Sequence, residues 1–329
     1  MRGAVVGALV VTALAVPAGT SSASASVTRL APITYTADDG HTETLTPWQG
    51  THVTVLVEAT PRRSASVMAA LVGKLDSAWS YYQTTTGFTP TPYYSLHGRT
   101  EIAEVTSTSC GGAACSWLGF TGVEILRSYF EVLYSGVQSS NQYDQVAFYE
   151  FGRNFWHYTA QLAFPNVDPQ VGEPVTTGFA VWMRFRSMTA AHVSGAPFNG
   201  IPFTTFRAQV AQLAQQYEAD PALTFAATLG ANRSPGLYGG TDFWASLMMQ
   251  LATRHGGQKF VSAFFHYASS LPAALTTGDA VTNWVRAASV AACVNLSTVF
   301  YDRWGFPRPD GTVTPRPPAS TVPEPIGNC

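Results

Sequence analysis

Near the middle of the chain, residues 146–156 read VAFYEFGRNFW. Large aromatic side chains surround most of the circumference of a helix formed by this stretch: Phe148, Phe151, Phe155 and Trp156. A helix that is apolar on nearly all sides is normally buried in a folded protein. A buried Glu150 needs a partner, and Arg153 lies three residues further on, within side-chain reach. The stretch therefore predicts a buried helix in which Glu150 and Arg153 form an ion pair.

The same stretch resembles the gluzincin metallopeptidases, whose helix carries the motif HExxH, often continued as HExGHNxW. The sequence keeps four residues of that longer motif: Glu150, Gly152, Asn154 and Trp156. Tyr149 and Arg153 stand where the two histidine ligands would lie. Further on, residues 177–181 read TGFAV and are similar to the segment in which gluzincins place a glutamate ligand just before Gly-Phe-Ala, and Thr177 occupies that place. The resemblance extends over residues 50–308, including the end of the helical part, YDRWGFP at 301–307.

The residues at these ligand positions predict that the motif holds no zinc. Positions i and i+4 face the same side of a helix, so two histidines there can hold one zinc ion beside a glutamate that activates the metal-bound water. Tyr149 and Arg153 keep this spacing, but the guanidinium is permanently charged and offers no lone pair. We therefore expect no cofactor, with the Tyr149 and Thr177 hydroxyls acting as hydrogen-bonding groups.

Two alternatives would retain some chemistry at Glu150. His157 lies seven residues along on the same helical face, and Glu173 or His192 could approach it to build a shifted metal or acid–base site. A lone helical histidine between aromatic residues is more often simply packed. The resemblance further implies that Tyr238, in a glycine-rich loop, reaches the cleft to polarise a substrate carbonyl, as such loops often do in gluzincins; the alternative is a plain glycine turn.

The strand and helix patterns of the chain predict an α+β fold, and the resemblance implies that it is of gluzincin or thermolysin-like type. Strand and helix patterns are mixed over residues 26–140, with a strand at 53–57, a helix at 64–82, paired strands at 93–96 and 101–105, and a helix at 125–134. Residues 141–308 are almost wholly helical in pattern. The predicted helices there are 144–162, 178–191, 203–217, 220–229, 242–255, 259–270, 279–293 and 296–304.

The two ends of the chain and its cysteines indicate export. Residues 1–25 have the positive start, the apolar run and the Ala-Ser-Ala box of a secretory signal peptide. Four cysteines are consistent with an oxidising compartment, and we pair Cys110 with Cys115 across two glycines, and Cys293 with Cys329. The second bridge would secure the Pro- and Thr-rich tail at 309–329. Zinc binding by these cysteines is disfavoured because no CxxC spacing occurs.

The composition excludes some partners. Only 12% of the 329 residues are charged, against about 25% in an average soluble domain, and the net charge is −2. This balance disfavours nucleic acid and anionic membranes as partners. After signal cleavage no apolar run is long enough to insert in a membrane. The leading hypothesis is a secreted, metallopeptidase-like protein without catalysis that binds an extracellular peptide, protein or glycan. The alternatives are a hydrolase with Glu150 as general base, and an extracellular protein whose cleft has no function. The ligand and the oligomeric state are not specified by the sequence.

Overall fold

The structure is a computed structural model and describes residues 27–60, 62–165 and 170–317. The strands in these residues are β1 (Thr28–Arg29), β2 (Ile33–Thr36), β3 (Thr42–Gln49), β4 (Val53–Glu58), β5 (Ser95–Leu96), β6 (Arg99–Val105), β7 (Ala114–Ser116), β8 (Val123–Leu126), β9 (Gln142–Tyr143) and β10 (Ser194–Gly195). The α-helices are α1 (Ala65–Thr86), α2 (Arg127–Ser140), α3 (Val146–Asn154), α4 (Thr159–Leu162), α5 (Pro174–Ala190), α6 (Phe203–Ala219), α7 (Gly240–Arg254), α8 (Gln258–Ala268) and α9 (Thr277–Ala292). The fold is α+β, as expected.

The N-terminal half is built on a mixed sheet with the strand order β1-β3-β4-β6-β8-β7, in which β2 also pairs with β3 and β5 with β6. The central strands β4, β6 and β8 run parallel, whereas β3 is antiparallel to β4, and β7 to β8. The strand predicted at residues 53–57 is confirmed as β4, and the predicted pair at 93–105 as β5 and β6. This order places β7 at the end of the sheet, where it contacts α3.

Buried side chains join this sheet to the helices that follow it. Helix α1 carries apolar residues every three or four positions, among them Met68, Leu71 and Leu75, which are fully buried. One continuous cluster includes these residues and extends from Trp48 to Phe306, on both sides of residue 140. A second, smaller cluster that contains Leu45, Leu56 and Val105 comes from the sheet alone. Most strands precede residue 140 and most helices follow it, as predicted, but a common core connects the two parts.

The helix predicted over residues 144–162 is wrong as a single element, because α3 ends at Asn154 and α4 starts only at Thr159. The loop between β7 and β8 contacts the chain at this break. Gly119 donates its N–H to the carbonyl of Arg153 at 3.1 Å, and the Asn154 amide donates to the carbonyl of Gly122 at 3.0 Å. The C-terminal end of α3 is therefore held against this loop by tertiary hydrogen bonds, one of them to a helix-end carbonyl.

The helix predicted over residues 220–229 is also wrong. This segment forms turns that end in a 3-10 helix at Leu229–Ala231. Arg316, from the C-terminal tail, donates to the carbonyls of Asp220 at 2.9 Å and Leu223 at 2.6 Å. Because a helix would need those carbonyls for its own N–H groups, a residue almost a hundred positions away competes with it. Two further predicted helices have other bounds. The helix predicted at 125–134 is displaced, because β8 occupies residues 123–126 and α2 runs from Arg127 to Ser140. The helix predicted at 296–304 is reduced to a π-helical turn at residues 299–303.

The predicted bridge between Cys110 and Cys115 is present. Cys293 is also disulfide-bonded, but its predicted partner Cys329 lies outside the described residues, as do the predicted signal peptide and residues 318–329. A disulfide is compatible with an oxidising compartment. Within the described ranges, no helix combines the length and apolarity needed to cross a bilayer.

Candidate functional site

A cleft of about 320 Å³ lies between the edge strand β7 and helix α3. Strand and loop residues form one wall: Asp38, Ser109, Cys110, Ala114, Cys115, Ser116 and Trp117. The α3 residues Tyr149, Glu150 and Arg153 form the other. The cleft therefore contains the motif glutamate and both motif positions where the resemblance would place histidines.

Glu150 is buried at the base of this cleft, with 5% of its surface exposed. The Ser116 hydroxyl, on β7, donates a hydrogen bond to its Oε2 atom. Burial raises the pKa of the Glu150 carboxyl, while the Ser116 hydrogen bond and the nearby charge of Arg153 act in the opposite direction. The direct ion pair expected between Glu150 and Arg153 is wrong, because their charged atoms are not in contact and a neutral hydroxyl is the partner of the carboxylate.

Arg153 instead contacts Thr177, the residue at the place of the third ligand in the gluzincin resemblance. Its Nη1 atom lies 3.4 Å from the Thr177 hydroxyl oxygen on α5. Tyr149 is one helical turn before Arg153, and burial raises the pKa of its phenol, opposed by the charge of Arg153 and by the Thr177 hydroxyl. The structure thus brings Tyr149, Arg153 and Thr177 together.

A close approach of two helices makes this arrangement possible. Gly152 lies on α3 directly against Ala180 on α5, and a Cβ atom at Gly152 would be only 2.5 Å from the Ala180 Cα atom. Ordinary contact requires 3.4–4 Å. The missing side chain therefore lets α5 approach α3 closely enough for Thr177 to reach Arg153.

Glu124 holds the loops on the opposite wall. This fully buried carboxylate on β8 accepts hydrogen bonds from the backbone N–H of Asp38 at 3.2 Å and of Ser109 at 2.8 Å. The Ser109 hydroxyl and the Tyr35 phenol also donate to it, at 2.7 and 3.2 Å. One buried acid thus anchors two segments far apart in sequence, and both segments line the cleft.

Arg184 connects α5 to two neighbouring helices. Arg184 is buried, with 4% of its surface exposed. Its guanidinium donates to the Gln145 side chain and lies 3.8 Å from the Asp242 carboxylate. Burial lowers the pKa of Arg184 to about 10. This ion pair links α5 to the start of α7 and, through Gln145, to the start of α3.

Four other candidate residues do not line the cleft. Glu173 caps α5 by accepting the N–H groups of Val175 and Thr176, both at 2.8 Å. The His157 ring stacks on Phe88, and burial lowers its pKa. The remaining two are His192, exposed after the end of α5, and Tyr238, which donates to Gln209 on α6. No shifted site is assembled from them around Glu150.

The donor set around Glu150 does not fit zinc. Arg153 supplies a fixed cation where a ligand is needed, and Thr177 is held by that cation. Across the described ranges, no group of three or more His, Cys, Asp and Glu side chains is placed to hold a metal ion. The polar side chains of the cleft are the carboxylates of Asp38 and Glu150, the hydroxyls of Ser109, Ser116 and Tyr149, and the guanidinium of Arg153.

Sequence reasoning missed Ser116 and Asp38 as parts of this site. No local pattern marks them, because Ser116 reaches Glu150 only through the position of β7 at the sheet edge. The bridge between Cys110 and Cys115 was the one signal in the sequence pointing to this segment. It closes the turn that leads into β7.

Comparisons with known proteins add little. No family model matches the chain. No curated protein matches it either. A crystal structure described as a functionally unknown conserved protein from Bacillus anthracis str. Ames is similar at a TM-score of 0.49 and 11% sequence identity, over 83% of this chain. The chain corresponds to about half of that structure, 50%.

Proposed function

We propose that this is a secreted, metallopeptidase-like protein that binds an extended polypeptide in the cleft between β7 and α3 without hydrolysing it. The observation that carries the proposal is the contact between Arg153 and Thr177, at 3.4 Å, in a cleft whose glutamate is already hydrogen-bonded to Ser116. Peptide hydrolysis by a gluzincin mechanism depends on a zinc-bound water, and this set of side chains has no means of holding the zinc.

The edge of the sheet supports a polypeptide as the ligand. β7 is the last strand of the sheet and pairs only with β8 among the described strands. An extended chain can add to such an edge through backbone hydrogen bonds, with the side chains giving specificity. The cleft beside β7 is open to take that chain, and the disulfide at Cys110 and Cys115 limits the movement of the segment that would receive it.

Arg153 gives the bound chain a fixed polar contact. Its guanidinium uses one Nη1 hydrogen bond to Thr177 and has further N–H donors available. A backbone carbonyl or a terminal carboxylate of the ligand would accept from them. A charged donor hydrogen bond of this kind contributes about 1.5–3 kcal/mol, so that loss of Arg153 should weaken binding at least tenfold.

One observation favours a second candidate, a hydrolase that uses Glu150 as general base. A buried carboxyl whose pKa is raised by burial, in a cleft and next to a hydroxyl, is a common feature of catalytic sites. The two functions differ in the expected effect of Glu150→Gln. In the binding protein the amide still accepts from Ser116 and affinity changes little, whereas in the hydrolase all turnover is lost.

The test combines binding and turnover on the same purified protein. Fluorescence anisotropy with labelled peptides from casein should give saturable binding that weakens at least tenfold in Arg153→Gln. The control Arg286→Gln, at an exposed position on α9, should bind as the native protein does. Casein and cell-wall glycan should remain uncleaved. Turnover that is abolished by Glu150→Gln would establish the hydrolase instead, and absence of any saturable binding would refute the polypeptide ligand.

Two further measurements test the other parts of the proposal. Elemental analysis of protein kept away from chelators should find no stoichiometric zinc, and one zinc per chain that disappears in Glu150→Ala would contradict the proposed loss of the metal site. N-terminal sequencing of protein recovered from culture medium should begin near Ser26. Retention of the full chain inside the cell would contradict secretion.

A further inference from the structure

A second cavity, of about 350 Å³, lies away from the cleft, where α1, α5, α6 and α8 meet. It is lined by Tyr81, Arg186, Thr189, Ala190, Arg207 and Gln258. Arg186 lies nine residues beyond Thr177 on α5, which corresponds to about 13 Å along the helix axis. The cavity is therefore separate from the site around Glu150.

Both charged residues that line this cavity are arginines without an acidic partner. Arg186 donates through Nε to the Tyr81 hydroxyl at 2.9 Å and through Nη2 to the side-chain Oε1 atom of Gln258 at 2.8 Å. Arg207 donates to the Thr189 hydroxyl at 3.1 Å. All three acceptors are neutral, and none of the described residues that line the cavity is acidic. Most N–H donors of the two guanidinium groups remain available.

Other arginines of the chain have the carboxylate partner that Arg186 and Arg207 lack among the described residues. Arg63, Arg127, Arg184 and Arg308 each lie within 4 Å of at least one carboxylate oxygen. At the second cavity two like charges are instead held close together: the pKa of Arg207 is lowered by desolvation and then by the charge of Arg186. Arg207 is exposed and Arg186 is half-buried, so an anion from solvent can reach both guanidinium groups.

Two further features make the cavity more positive. Helix α8 begins at Gln258, which lines the cavity, and no side chain caps this helix start, so the positive end of the helix dipole lies there. Lys74, one of the two lysines of the chain, donates to the carbonyl of Ala191, next to the lining residue Ala190. The local charge is thus opposite in sign to the net charge of the protein, −2.

The geometry points to a binding site for a phosphate monoester, held by Arg186 and Arg207. Guanidinium groups match the oxygen geometry of phosphate, and a phosphate monoester at pH 7 carries a charge of about −1.5 to −2, which balances two arginines. A carboxylate would balance only one of them. A third and larger cavity, of about 570 Å³, adjoins the second cavity and shares Thr189 and Arg207 with it. Its lining includes Met188, Val193 and Phe203, which gives the organic part of the ester an apolar surface.

Isothermal titration of the purified protein at low ionic strength tests this site, with phenyl phosphate, inorganic phosphate and benzoate as probes. Phenyl phosphate should bind saturably and more tightly than either of the other two. Its affinity should fall about tenfold or more in Arg186→Gln and in Arg207→Gln, the loss of one charged hydrogen bond or more. Arg286→Gln, which removes an exposed arginine on α9, should bind phenyl phosphate as the native protein does.

The pH dependence gives a second readout on the native protein. The second ionisation of a phosphate monoester has a pKa of about 6, so binding of phenyl phosphate should strengthen between pH 5 and pH 7.5 while binding of benzoate should not. Arg186→Lys keeps the positive charge and should retain more affinity for phenyl phosphate than Arg186→Gln. This comparison separates the loss of charge from a folding defect, because both substitutions remove the same guanidinium group. Absence of saturable binding, equal affinity for benzoate or for inorganic phosphate, or an equal loss in the Arg286 control would overturn the assignment.

Discussion

The contact between α3 and α5 can be tested with a pair of glycine substitutions. Gly152→Ala places a Cβ atom 2.5 Å from the Cα atom and 2.7 Å from the Cβ atom of Ala180. Gly73→Ala, inside α1, places a Cβ atom where no other atom lies within 4 Å. Both substitutions introduce the same methyl group into a helix, and they differ only in what that group meets.

The expected magnitudes follow from these distances. Alanine is favoured over glycine in a helix interior by about 1 kcal/mol, so Gly73→Ala should raise the free energy of unfolding by about that amount. At Gly152 the same gain is opposed by an overlap of almost 1 Å with backbone, which cannot rotate away. Overpacking of this kind costs about 1–3 kcal/mol and occasionally more. We expect Gly152→Ala to lower the free energy of unfolding by about 2 kcal/mol, and the two variants to differ by about 3 kcal/mol.

Urea unfolding followed by tryptophan fluorescence measures this difference, with unchanged m-values as the condition for comparing midpoints. Because α3 must move away from α5 in Gly152→Ala, peptide binding that depends on Arg153 should weaken in this variant and not in Gly73→Ala. A Gly152→Ala protein that is as stable as Gly73→Ala would refute the close packing of the two helices, and with it the reason given for the contact between Arg153 and Thr177.

Two further predictions concern buried charges. Burial alone raises the pKa of Glu101 to about 7, so the folded state holds this proton more tightly than the unfolded state and stability should fall as pH rises from about 4.5 to about 7. Glu101→Gln should remove that fall, so that above pH 7 its free energy of unfolding exceeds that of the native protein by about 3 kcal/mol. Urea unfolding across the pH range measures this difference, and parallel pH profiles for the two proteins would contradict it. Arg184→Met leaves the partly buried Asp242 without its cation and should lower the free energy of unfolding by about 3 kcal/mol, whereas adding Asp242→Asn should recover part of the loss in a double-mutant cycle. Additive losses would show that the two side chains do not interact.

Much of the fold could be predicted because its signals are local. The apolar spacing in α1 and the β-branched run in β4 are properties of short segments, and both elements occur close to the predicted residues. The two predicted helices that failed did so for non-local reasons. Arg316 takes the carbonyls that a helix at 220–229 would need, and the loop at Gly119 and Gly122 is hydrogen-bonded to the C-terminal end of α3.

The residues of the candidate site could also be predicted only in part from the sequence. The helical repeat alone placed Tyr149 and Arg153 on one face, next to Glu150, and the resemblance to gluzincins added Thr177 from a separate segment. Neither the helical repeat nor the resemblance could identify the hydrogen-bond partners of Glu150 and Arg153. Glu150 and Arg153 are within reach of each other on the helix, yet Ser116 and Thr177 take the two contacts because β7 and α5 lie closer to the charged atoms.

By itself, the sequence determined the α+β class, the bridge between Cys110 and Cys115 and the absence of ligand side chains at the motif, because these depend on residue type and short spacing. Only the tertiary structure decided which neutral groups accompany Glu150 and Arg153, and that Arg186 and Arg207 share one cavity. Those two arginines are 21 positions apart on different helices, α5 and α6, and only the packing of the helices brings their charges together without an acid between them.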